Sequence, residues 1–97
     1  LGIALAHDNV TRRLGVTGVL IIDVEEGSAA AEAGLRGTRQ DRQGRLILGD
    51  IIVAVDDQPV QSVDELLDLM GEYSVGDTVR VTFVRDGERQ TVEATLQ

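Results

Sequence analysis

A chain of 97 residues holds one small domain with a modest core, and at 42% hydrophobic and 27% charged it is globular rather than disordered in composition. Nine arginines against 17 acidic residues leave a net charge of −8, which opposes nucleic-acid binding; the absence of cysteine excludes a disulfide framework, a thiolate zinc site and a cysteine nucleophile. No apolar run approaches the roughly 20 residues that span a bilayer, and Leu1-Gly2-Ile3 opens without an initiator methionine or signal-peptide pattern, as in a domain excised from a longer protein. Alternating apolar and small residues over 1–5 predict a short strand, and Asp8-Asn9 and Gly15 mark a loop containing Arg12 and Arg13. The continuous Val19-Leu20-Ile21-Ile22 predicts a strand buried on both faces. Ser28 caps a short helix over 29–33 that Gly34 ends. From Arg36 to Arg45 the composition turns polar, which predicts an exposed loop. Ile51 to Val55 reads as a strand leaving through a turn at Asp56-Asp57-Gln58-Pro59, after which Val60 resumes extended structure.

The clearest helix begins at Ser62, where Ser62 and Glu65 form a capping box and Asp64 and Glu65 suit the positive end of the helix dipole. Leu66, Leu67, Leu69 and Met70 give it apolar surface, and Gly71 or Gly76 ends it. Thr78 to Val84 alternates, Asp86-Gly87 is a type I′ hairpin signal, and Val92, Ala94 and Leu96 alternate again. The total is five or six strands and two helices, a small α+β or partly open barrel architecture.

The inventory leaves little for catalysis. His7 is the only histidine, and Ser28, Ser62 and Ser74 all lie outside a G-x-S-x-G elbow. Glu25-Glu26 and Asp56-Asp57 are neighbours whose side chains diverge, so they suit turns rather than acid–base pairs, and no calcium-loop or phosphate-loop spacing occurs. Gly15-Val16-Thr17-Gly18 matches the G-x-x-G of a nucleic-acid clamp, but a turn explains both glycines. Arg36, Arg39, Arg42 and Arg45 are either a solvated loop or a contact surface for an acidic neighbour. The remaining constellation is Leu1-Gly2-Ile3 with the Ser62 helix. A hydrophobic-Gly-hydrophobic turn aims backbone amides at one point, as an anion nest does, and the next strand offers an edge to an extended peptide. Val63, Leu67 and Met70 fall on one helical stripe able to wall a groove opposite Ile3 and Leu5; core packing accounts for the same pattern equally well.

Several segments carry a resemblance in common. These are Leu1-Gly2-Ile3, the run from Val24-Glu25-Glu26-Gly27-Ser28-Ala29-Ala30 to Gly34-Leu35, the run from Leu48-Gly49-Asp50-Ile51-Ile52 to Pro59-Val60, Ser62-Val63-Asp64-Glu65-Leu66, Gly76-Asp77-Thr78-Val79 and Val84-Arg85-Asp86-Gly87. In this order the chain resembles a PDZ domain of the HtrA/Deg serine proteases, the permuted bacterial and plastid type, and the resemblance covers residues 1–97 as a single domain. It implies a PDZ-like fold of five to six strands in a small antiparallel barrel or sandwich with two helices. It also implies that Leu1, Gly2 and Ile3 bind a peptide's terminal carboxylate. Ala4, Leu5, Val63, Leu67 and Met70 would then form the groove, with Val63 favouring an apolar partner residue. The chain departs from the family's Ser-Pro-Ala in having Ser28-Ala29-Ala30, and its 36–45 loop is long, as in plastid and some bacterial Deg proteases.

The implied function is a non-catalytic module of protein quality control. It captures C-termini or unfolded segments with apolar ends and recruits or regulates an HtrA-like serine endopeptidase, with that protease domain as its other partner. No metal, cofactor, nucleic acid or membrane insertion is expected. The implied setting is extracytoplasmic: the bacterial periplasm or cell envelope, or the thylakoid lumen. Two alternatives stand beside it: an assembly or gating surface between protease subunits, and a PDZ domain of a different processing or secretion protein.

Overall fold

The computed structural model describes residues 2–96. Over these the chain builds β1 (Ile3–Leu5), α1 (Asp8–Arg13), β2 (Val19–Val24), α2 (Ala29–Ala33), β3 (Arg39–Gln40) and β4 (Leu46–Ile47). There follow β5 (Ile51–Val55), β6 (Gln58–Pro59), α3 (Val63–Met70), β7 (Thr78–Arg85) and β8 (Glu88–Thr95). Six strands form one antiparallel sheet in the order β1-β2-β5-β7-β8, with β6 paired to β5, while β3 and β4 form a separate hairpin. This is the small α+β architecture expected from the sequence; its main sheet has six strands where five to six were expected, and three helices stand where two were expected.

The β-branched alternation of β7 decides which face is inside: Val79, Val81 and Phe83 are buried, and Arg80 between them is exposed. They meet Val19, Ile21, Ile52, Val55, Val60, Leu66 and Ala94 in the core, which α2 joins through Ala29 and Ala30. Asp86 and Gly87 take φ of 53° and 79° between β7 and β8, the left-handed conformation a type I′ turn requires. Ser28 and Ser62 cap α2 and α3, accepting from the amides of Ala31 and Glu65 at 3.2 Å each.

Three expectations change. The 8–13 stretch is a helix, not a loop. It has Asp8 in its first turn and Arg12 and Arg13 in its last, but His7 gives no side-chain cap. A six-residue helix is marginal alone. This one is held by packing against β2 and by the Asp8 carboxylate, which accepts the Val63 amide at 3.1 Å. The 36–45 loop carries β3 and the turn of a β3–β4 hairpin that ends at Ile47, closed by Asp41, whose carboxylate accepts the amides of Gln43 and Arg45. No buried face marks these two strands, so no alternation betrays them. Lastly, Ile22 is 39% exposed although Val19, Leu20 and Ile21 are buried. The register passes from Ala4↔Asp23 to Leu5↔Ile21, so Ile22 is the extra residue of a β-bulge and turns out of the core.

Candidate functional site

β1 is the end strand of the sheet, paired on one side to β2 and open on the other. The Gly2 carbonyl accepts from Glu25 N–H at 2.8 Å, and Ala6 N–H donates to the Leu20 carbonyl at 3.0 Å. Strand alternation therefore turns the backbone polar groups of Ile3 and Leu5 toward the open edge. Gly2 has φ of 75°, and a Cβ there would lie 2.3 Å from Ser28 Cβ. Only glycine both adopts this conformation and lets the chain pass Ser28.

Beside the open edge lies α3. Gly2, Ile3, Leu5, Leu66, Leu67 and Met70 line an apolar hollow of about 140 Å³ between the two elements. Leu66 forms its floor at 1% exposure, whereas Leu67 stands 57% exposed at the rim. The lining contains no charged side chain. α3 keeps its outward face acidic, with Asp64, Glu65 and Asp68 exposed.

Of the residues singled out in the sequence, Gly2, Ile3, Leu5, Leu67 and Met70 are brought together around this hollow. Leu1 lies outside the described residues. Ala4 faces the opposite side of β1, in a second hollow of about 400 Å³ with Gly2, Ile3, Asp23 and Glu25. Val63 is half-buried and packs on the core cluster rather than lining the hollow. Leu66 went unremarked as a groove residue, although the helical stripe through Val63 and Met70 runs past it. Asp8, read as a loop marker, holds the first turn of α3 in place, and no local pattern links residues this far apart.

Ser28 and Ser62 are occupied as helix caps, and His7 is exposed at the start of α1. Among the described residues no three histidine, aspartate or glutamate side chains group to hold a metal. Asp56 and Asp57 both take positive φ in the β5–β6 turn, the structural role expected of them.

The edge strand, glycine turn and flanking helix define a class, and residues 1–96 match the family model described as PDZ domain: this chain belongs to the PDZ family. Within that family it resembles the PDZ domains of HtrA/Deg proteases. It is 38% identical over 97 residues to Protease Do-like 1, chloroplastic, of Arabidopsis thaliana, and 42% identical over 98 residues to Protease Do-like 8, chloroplastic, of the same plant. In each case 100% of this chain aligns, to 22% of the relative. Serine endoprotease DegS of Escherichia coli K12 is 28% identical over 80 residues, 82% of this chain and 19% of that protein. The chain thus spans about a fifth of these proteases, the PDZ portion alone. Among solved structures, the HtrA-type protease AlgW with decapeptide shares the fold at TM-score 0.70 and 19% identity, over 98% of this chain and 27% of that one. An aminopeptidase N family protein from Idiomarina loihiensis shares it at TM-score 0.73 and 24% identity, over 99% of this chain and 13% of that one.

Proposed function

We propose that this domain captures the C-termini or exposed extended segments of other proteins by strand addition to β1. The last apolar side chain enters the hollow beneath Leu67 and Met70, and the terminal carboxylate meets the backbone amides at Leu1, Gly2 and Ile3. One observation carries the reading: an unpaired strand edge runs beside an apolar hollow whose lining has no charge of its own. Ile3 and Leu5 supply backbone to the edge, Ala4 stands on its outer face, and Val63 supports α3 from the core side. The HtrA-type structure holding a decapeptide supports peptide binding by this fold. The chloroplastic and periplasmic proteases among the relatives support a parent that is a serine endopeptidase outside the cytoplasm or in a plastid, with this domain recruiting its substrates.

Burying one or two apolar side chains contributes about 1.5–3 kcal/mol each, and ordering the peptide offsets part of this. A dissociation constant of about 1 μM, roughly −8 kcal/mol, is the expected scale. The test is titration of a short apolar-ended peptide with free and with amidated terminus. Amidation removes the charged acceptor and is expected to weaken binding at least about tenfold. Leu67→Asp is expected to abolish binding with little change in melting temperature, because Leu67 is 57% exposed and its carboxylate stays hydrated in the free protein. Equal titration curves for acid and amide peptides overturn carboxylate capture.

A second reading rests on the β3–β4 hairpin. Leu46, Ile47 and Leu48 are 55%, 37% and 38% exposed there, among four arginines that make no salt bridge with the described residues. This suits an assembly surface against an acidic, partly apolar neighbour such as another protease subunit. Hairpin substitutions then alter assembly and spare peptide affinity.

A further inference from the structure

The hollow on the far side of β1 has a chemistry of its own. Ala4 pairs with Asp23, and two residues along, past the Ile3–Val24 pair, the Gly2 carbonyl takes the Glu25 amide, so Gly2 lies opposite Glu25. Directly opposed residues of an antiparallel pair share a face. Asp23 and Glu25 therefore stand on the same face as Ala4, away from the apolar hollow, and the five residues Gly2, Ile3, Ala4, Asp23 and Glu25 line one recess. Both carboxylates are exposed and neither forms a salt bridge with the described residues.

A peptide added to the open edge would be the third strand of this row. Resting on the capture reading above, its last side chain points into the apolar hollow, so its second- and fourth-from-last side chains point to the Ala4 face. The positions between them and the two carboxylates are Ala4, which has only a methyl, and Gly2, which has no side chain. Two strand spacings of about 4.8 Å separate the peptide backbone from β2. A short side chain cannot cross that distance, but an arginine or lysine can lie over the small row and end at a carboxylate. We infer that Asp23 and Glu25 are specificity residues, selecting peptides with basic residues second and fourth from an apolar C-terminus. The bulge at Ile22 is what brings Asp23 into line with Ala4.

The experiment compares two isomeric peptides of the same composition and charge, each with a free apolar C-terminus. One places two arginines at the second- and fourth-from-last positions, and the other at the third- and fifth-from-last. General attraction to an acidic protein acts on both alike, so only the position differs. The first is expected to bind about 5-fold tighter at low salt, the scale of one or two exposed ion pairs. The preference should shrink at high ionic strength and disappear in D23N/E25Q, whose melting temperature verifies its fold. Equal affinities of the two isomers for the unaltered domain overturn the inference while leaving capture intact. Failure of every free-terminus peptide to bind, an alanine-substituted one included, overturns capture itself, and the inference falls with it.

Discussion

Asp50 is 1% exposed, yet its two oxygens are fully engaged: Arg85 Nε donates at 2.8 Å, Arg85 Nη2 at 2.7 Å and the Arg36 amide at 2.9 Å. Arg85 also donates to the Gly34 carbonyl and lies over the Phe83 ring, 5.1 Å from its centroid. These contacts tie the end of β7 to the exit of α2 and the start of β5. Asp50 holds the Arg85 guanidinium above its ordinary value, chiefly through their hydrogen bonds. Arg85→Met strands a buried carboxylate, and denaturant unfolding is expected to show a loss of about 3 kcal/mol, a large part of a small domain's stability. Tyr73 and Asp56 form a second polar link, at 2.6 Å, with the Arg80 amide donating to Asp56 at 2.8 Å. The Tyr73 hydroxyl first, then the Arg80 amide, holds Asp56 below the ordinary aspartate value of 3.8, and Asp56 in turn raises Tyr73 above 10.0. The lowered carboxyl stabilises the fold above pH 3.8 and loses this as pH falls through its folded value; the raised phenol contributes below pH 10.0 and is lost as pH rises through its own. Tyr73→Phe is expected to return Asp56's carboxyl titration, followed by NMR, toward its ordinary value and to flatten both ends of the stability profile. An unchanged titration would show that Tyr73 does not set it.

At the scale of elements, α3 is the wall of the candidate site that local sequence secures least. Eight residues are too few for a stable isolated helix. Its first turn is secured from two directions, by Ser62 Oγ on the Glu65 amide and by the Asp8 carboxylate on the Val63 amide. Because α3 walls the hollow, these caps bear on function as well as stability. Ser62→Ala and Asp8→Ala are each expected to cost about 1 kcal/mol in chemical denaturation, the usual cost of a lost cap. The Asp8 effect is the sharper check. If α1 were a passive loop, its removal would leave unfolding unchanged.

Over the whole molecule, charge and burial separate two surfaces. The stretch 36–48 carries four arginines and one aspartate, net +3, whereas the other residues hold five arginines against 16 acids. The hairpin rests on a close crossing at its base, where a Cβ on Gly49 would lie 2.5 Å from the Gly37 carbonyl carbon. Beyond that base, β3 and β4 are exposed along their length. Replacing residues 39–47 with a short turn is therefore expected to cost less than about 1 kcal/mol by thermal melting and to leave peptide affinity unchanged. Loss of peptide binding in that variant would mean that the two surfaces are coupled.

Much of this was legible along the chain. Two seryl caps, the Asp86-Gly87 turn and the alternation of β7 are local chemistry, in which each residue's own backbone and side-chain preferences decide the outcome, so order and spacing alone determined these elements and a small α+β architecture, while the PDZ topology was carried by the resemblance of the segments to a known family. The Leu67–Met70 stripe and the Gly2 turn were visible for the same reason. Pairing between distant residues was not. Asp8 capping α3, Asp50 seizing Arg85 and the bulge that sets Asp23 beside Ala4 depend on which strands become neighbours, and nothing in a local window encodes that. The sequence could offer Val63 and Ala4 as groove residues because periodicity gives a face but not what covers it. Only the packed sheet decided that Val63 packs against the core cluster outside the lining of the hollow and that Ala4 shares its recess with Asp23 and Glu25.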